Sequence, residues 1–228
     1  MKTSFHPTAF NTGLLGKIAL GGCLALSAQT TMAAGDGWSI VPYFGFSQLG
    51  DQSPDISADG IADGNATVSV DGGFTAGLSI RYDYTDSRWR SEFGWEYRSN
   101  NSTITSADET TLADGNYASN TFYLNGRYAL TDRGRFTPWI GGGISVIQEI
   151  DIDSEQPEGE RSFSDSGAVG LQLMAGFDFD ITDRIYLTSE LRYTGFTDLD
   201  LTEEQGNGQA TGLDYQPVTA GVGIGFRF

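Results

Sequence analysis

The sequence predicts an all-β chain, an eight-stranded antiparallel up-and-down transmembrane β-barrel, and three observations carry that expectation. Apolar and polar residues alternate with period two in eight segments. The segments are joined alternately by long polar stretches and short turns, as in barrels with short turns at one membrane face and longer loops at the other. Beyond the N-terminus there is no run of about 20 apolar residues, which a spanning helix needs. A barrel hides its hydrophobicity in alternation, so a hydrophobic fraction of 39% is compatible with it.

Each strand is read from its own alternation. Trp38 to Gln48 sets Trp38, Ile40, Pro42, Phe44 and Phe46 on one face, with Pro42 suggesting a bulge because it cannot donate to a ladder. A polar loop reaches about Ala66. The second strand, Val68 to Tyr84, puts Val68, Val70, Phe74, Ala76, Leu78, Ile80 and Tyr82 outward. The third, Trp89 to Arg98, is the sharpest: Trp89, Phe93, Trp95 and Tyr97 oppose Arg90, Glu92, Glu96 and Arg98. A loop over Ser99 to Ala118 follows. Strand four is Thr121 to Leu130. Strand five is Phe136 to Ile150, with Ile140, Ile144, Val146 and Ile150 outward. Strand six is Ala168 to Asp180, strand seven Ile185 to Phe196, and the last Tyr215 to Phe228. Trp38, Tyr82, Tyr84, Trp89, Tyr128, Phe136, Phe177 and Phe179 gather near the short-turn end, where an interfacial girdle belongs.

Residues 1–34 read as a signal peptide to be removed, and 35–228 as the barrel domain. Lys2 and Lys17 supply positive charge, Ile18 to Ala28 an apolar core, and Thr31-Met-Ala-Ala34 a small-residue cleavage site. Leu20-Gly-Gly-Cys23 resembles a lipobox, but apolar residues continue through Leu26, which places Cys23 inside the apolar core instead. The only Cys and the only His, Cys23 and His6, fall in this segment, so no disulfide is expected in the barrel.

Beyond residue 35 the chain carries eleven Arg, no Lys and all thirty acidic residues, a net charge of −19. No basic stripe exists, and nucleic acid is excluded as a partner. Inside the barrel, Arg81, Arg90, Glu92, Glu96, Arg98, Arg127, Asp178, Glu190 and Arg192 point one way. In a lumen just wide enough for side chains they are expected to form a paired ionic filling; the alternative is a gate that rearranges to pass ions or small solutes. Glu92 and Glu96 lie about 13 Å apart along one face, too far for direct cooperation. No catalytic residue, metal site or cofactor is expected.

The long connections are acidic. They carry Asp51, Asp55, Asp59 and Asp63; Asp108, Glu109 and Asp114; Asp151, Asp153, Glu155, Glu158, Glu160 and Asp165; and Asp198, Asp200, Glu203, Glu204 and Asp214, opposed only by Arg161. They read as a solvated outer rim, with divalent cations bridging it to lipopolysaccharide as a functional reading.

The architecture, the Gly73-Phe-Thr-Ala-Gly-Leu-Ser-Ile-Arg-Tyr82 strand, the Pro138-Trp-Ile-Gly-Gly-Gly143 segment and the terminal Phe228 resemble the small outer-membrane barrels of the OmpA, OmpX and opacity-protein type. The resemblance implies a Gram-negative outer-membrane location with extracellular loops, and contact with outer-membrane lipid. It also implies recognition of Phe226 and Phe228 as an assembly signal by the barrel assembly machinery, a monomeric state, and a barrel without the periplasmic domain of longer relatives. It rests on a pattern, so no functional residue is carried over. A lipid A-modifying enzyme of this shape would need a His base, which residues 35–228 lack. In a soluble lipocalin-like barrel the apolar face would point inward around a ligand.

Overall fold

The computed structural model describes residues 37–58, 64–108, 111–131, 134–156, 159–204 and 206–228. The signal peptide, its cleavage site and Cys23 lie outside these residues, as do Asp59, Asp63, Glu109, Glu158 and part of the turn after Leu130. The strands are β1 (Trp38–Gln48), β2 (Asp55–Ser57), β3 (Gly64–Asn65), β4 (Thr67–Val70), β5 (Gly73–Asp83), β6 (Trp89–Thr105), β7 (Thr111–Ala129), β8 (Phe136–Gln156), β9 (Gly159–Asp165), β10 (Val169–Asp180), β11 (Ile185–Glu203), β12 (Gln209–Tyr215) and β13 (Val218–Arg227).

Eight of them close a ring. β1, β5, β6, β7, β8, β10, β11 and β13 pair antiparallel in that order, and β13 returns to β1, with Ile40 opposite Phe226 and Gln48 opposite Val218. Closure leaves no edge among them, the condition for a sheet in lipid. Outward positions are apolar and exposed, among them Phe44, Phe93, Leu124, Ile140, Leu171, Leu191 and Ile224. The apolar face is therefore outside, the reverse of the lipocalin arrangement. Pro42 produces no bulge: pairing with β13 lapses at Val41 and Pro42 and resumes in the same register, so the missing N–H is absorbed by one gap in the ladder. Three short turns and the junction of Trp38 with Phe228 (3.1 Å, N–H to carbonyl) share one end. There the aromatic residues touch in pairs: Trp38 with Tyr82, Tyr82 with Tyr84, Trp89 with Tyr128 and Phe136 with Phe177, centroids 4.8–5.2 Å apart.

The other end differs from expectation. The stretches read as loops at 99–118 and after Ile150 are continuations of β6, β7 and β8, with β9 folded back on β8 and β12 on β11. These extensions enclose an apolar core that includes Leu49, Val68, Ile104, Tyr117, Ile150, Ile152, Phe163, Phe196, Leu199, Leu201, Leu213 and Tyr215. Val68, Val70 and Ile150 were expected on the lipid face and are instead buried here. The cause is register. Across Asp71-Gly72 the pairing with β6 slips by one residue, from Val70 opposite Ser102 to Phe74 opposite Ser99. On β8 an extra residue, Gln148, lies between Ile147 opposite Thr121 and Glu149 opposite Asn120. A one-residue slip moves the following side chains to the other face.

Inside, bulky side chains lie flat on glycines of the adjacent strand. Tyr43 covers Gly77, Tyr123 covers Gly94, Trp139 covers Gly176 and Tyr186 covers Gly225. At Gly77 a β-carbon would stand 2.4 Å from the Trp95 carbonyl oxygen and 2.6 Å from the Tyr43 ring. Gly77→Ala is therefore expected to destabilise the barrel by about 1–3 kcal/mol, read as a lower midpoint of urea unfolding in detergent.

Candidate functional site

The lumen between the two ends is filled by charge. β5 contributes Arg81; β6 contributes Arg90, Glu92, Glu96 and Arg98; β7 gives Arg127, β10 Asp178, and β11 Glu190 and Arg192. Their inward direction follows from strand parity. All are buried except Arg90, whose side chain is 18% exposed at the short-turn end.

Pairing joins these nine residues into one network. Arg81 lies directly opposite Glu92, 3.4 Å away, and also approaches Glu190 at 3.6 Å and Asp178 at 3.7 Å. Arg90 and Arg127 face each other across β6 and β7, a like-charge pair that Asp178 relieves by taking Arg90 at 2.6 Å and Arg127 at 3.5 Å. Glu92 accepts Arg127 at 3.5 Å. Nearer the extensions, Glu96 pairs with Arg98 and, at 3.0 Å, with Arg192, which also holds Glu190. Glu190 stands between Gly176 and Gly221 of the flanking strands, so it meets no neighbouring side chain in its own row.

Aromatic partners complete the network. The Tyr43 hydroxyl donates to Glu96 at 2.6 Å, the Trp139 indole N–H to Asp178 at 3.3 Å, and Arg98 to the Tyr215 hydroxyl at 2.9 Å. The Arg127 guanidinium lies 3.3 Å from the Trp139 ring centroid and that of Arg192 4.5 Å from Tyr123, close enough for cation–π attraction. Sequence reasoning missed these aromatics as members of the site. Tyr43, Tyr123 and Trp139 each carried a signal, their inward parity.

Burying charges is expensive unless each is paired. Here every carboxylate of the nine meets at least one guanidinium, so the charges fill the lumen with no unpaired acid. Phe226 is exposed on the lipid side opposite Ile40 and Ile185, and Phe228 follows at the strand end.

On the extensions, some rim carboxylates are structural. Asp51 accepts the Val70 N–H, Glu203 the Gly208 N–H, and Arg161 meets Glu203 at 3.6 Å. Asp151 is less well served: its Oδ1 is buried without a hydrogen bond, and burial, then Glu149, Asp153 and Glu204, push its carboxyl up to about 6. Among the described residues no cluster of His, Cys, Asp or Glu is arranged to hold a metal ion.

A closed antiparallel ring with an apolar exterior and a charged interior defines a transmembrane β-barrel. The chain belongs to the outer membrane protein beta-barrel domain family, which it matches over residues 18–228. It is an integral protein of the Gram-negative outer membrane. Among solved structures it is similar to the outer membrane protein OprG from Pseudomonas aeruginosa, with 20% identity and TM-score 0.60 over 84% of this chain and 97% of that one. It is also similar to Neisserial surface protein A, with 13% identity and TM-score 0.52 over 85% and 98%. At these identities the likeness is one of fold. None of the curated proteins compared with it matches.

Two outcomes are expected. Arg192→Ala removes a buried partner from both Glu96, which keeps Arg98, and Glu190, which keeps only Arg81 at 3.6 Å, and is expected to cost about 3–5 kcal/mol, whereas Asp180→Ala, which removes the partly exposed pair with Arg227, costs under about 1 kcal/mol; urea midpoints in detergent compare them. Because Asp151 binds its proton more tightly folded than unfolded, stability falls as pH rises from about 4 to about 6. Asp151→Asn flattens that part of the pH–stability curve.

Proposed function

We propose that this protein is a closed, monomeric, non-enzymatic barrel that serves the outer membrane as a structural and surface-interaction element. The observation that carries the reading is the filled lumen: nine mutually paired charged side chains, capped by an apolar core, leave the barrel axis occupied along both layers. The short-turn end, where β1 begins and β13 ends, faces the periplasm, and the strand extensions stand outside the cell. Their acidic outer positions, Asp151, Asp153, Asp200, Glu203, Glu204 and Asp214, meet anionic lipopolysaccharide through divalent cations, for which carboxylates are suitable ligands. The exposed Phe226 and the final Phe228 are the groups the barrel assembly machinery reads. Catalysis is disfavoured because residues 37–228 contain neither His nor Cys and the lumen carboxylates are engaged by Arg. The negative charge disfavours nucleic acid.

The competing class is a narrow channel. Purified protein in planar bilayers is expected to give no reproducible single-channel conductance. Steps of defined size that change in Glu92→Ala or Arg192→Ala would place the permeation path through the network and overturn the closed reading.

A further inference from the structure

A second polar cluster in the lumen is not used by the ion network. Neither amide atom of Asn125 on β7 hydrogen-bonds another protein group, nor does the Ser145 hydroxyl on β8 or Gln172 Oε1 on β10. All three residues are at most 2% exposed. Leaving such groups unpaired is costly, so buried polar atoms are satisfied by protein or by ordered water.

The register brings the three together. Asn125 and Gln172 lie on either side of Gly143, and Ser145 is the next inward residue along β8. The Asn125 carboxamide leans over Gly143, whose absent side chain gives it room, while Gln172 turns its Nε2 toward Thr194 at 3.2 Å and leaves Oε1 free. One residue pair further along each strand the surface is closed. Phe196, part of the apolar core, lies against Gly170 on one side; Met174 and Arg127 lie against Gly141 on the other.

The free atoms are a mixed set: donors from Asn125 and Ser145, acceptors from Asn125, Ser145 and Gln172. Glu92, directly opposite Asn125 in the row, is already engaged by Arg81 and Arg127, and Arg127, two residues along β7, is offset by Glu92 and Asp178. A mixed, neutral set selects a guest that both donates and accepts. We propose that Asn125, Ser145 and Gln172 form a binding site for a small internal water cluster, seated between the ionic layer and the apolar core. A buried water makes about three hydrogen bonds, a number these groups can supply. The site does not depend on whether the barrel conducts.

The test uses the full folded chain, ¹⁵N-labelled, in deuterated detergent. Side-chain amide protons of Asn125 are expected to show cross-relaxation with water of the sign that marks a long-lived bound molecule. Ser145→Val, which fills the guest's volume with methyl groups, is expected to abolish it while the protein keeps its heat-modifiable migration on detergent gels. Absence of that water signal in the unmodified protein, with Asn125 contacts only to Gln172 or Ser145, would overturn the proposal. So would a water signal unchanged in Ser145→Val.

Discussion

The strands of this protein pass from lipid into water, and the side of the sheet that must be apolar reverses where they do. Within the membrane the outside meets hydrocarbon and the inside tolerates polar groups; beyond it the outside meets water and the inside needs a core. A strand with an unbroken alternation cannot satisfy both. β8 solves the problem with Gln148: Ile144 and Val146 face lipid below it, Ile150 and Ile152 face inward above it. The break at Asp71-Gly72 does the same between Phe74 and Val70. On β11 the pairing with β12 shifts between Phe196 and Leu199, and the inward parity changes from even at Phe196 to odd at Leu199 and Leu201. Bulges are therefore the means by which one continuous sheet serves two solvents.

The same constraint explains why the lumen is ionic below and apolar above. An eight-stranded ring is just wide enough for side chains, so its interior must be packed. Below the bulges the alternation sends the non-lipid positions inward, and these are Arg, Glu and Asp interspersed with glycines, small polar residues and a few aromatics. Arginine suits this interior because its planar fork reaches several carboxylates and its faces stack on aromatics; Arg81, in reach of Glu92, Asp178 and Glu190, and Arg127, stacked on Trp139, show both uses. The glycines beneath Tyr43, Tyr123 and Tyr186 supply the volume those rings need.

This division also accounts for what the sequence made legible. In the membrane part the contrast between the faces is large, as in Trp89 to Arg98, and the ring strands and the nine inward charges can be read by parity alone. Above it the contrast collapses. In β6 the buried Asn100 and Ser102 alternate with Asn101 and Thr103, polar against polar, so the strand looks like a loop. Where apolar residues do recur, as at Val68, Val70 and Ile150, a bulge has changed the phase, and counting by two from the membrane part assigns them to the wrong face. Pro42 misled in the opposite direction, since a gap in one ladder accommodates it without a register shift. Parity also points Trp139 and Tyr215 inward, but nothing in the alternation says which inward aromatic meets which charge, because those partners come from distant strands.

Tyr215 ties the two layers together. Its ring packs against Tyr117 and Phe196, centroids 5.3 and 5.9 Å away, inside the apolar core, while its hydroxyl accepts from Arg98 at 2.9 Å and hydrogen-bonds Ser119 at 2.7 Å. An amphipathic ring is suited to such a boundary, with an apolar body and one polar tip. It gives Arg98 a neutral partner beside Glu96, which Arg98 shares with Arg192: the nine residues hold five arginines and four acids, and the excess is offset at the opposite end by Asp83, 3.4 Å from Arg90. The charge balance of the lumen thus closes on Asp83 at the short-turn end, while at the other end its hydrogen bonding closes on a tyrosine of the outer core. The two halves of the barrel are accordingly coupled through that side chain as well as through the continuity of the strands.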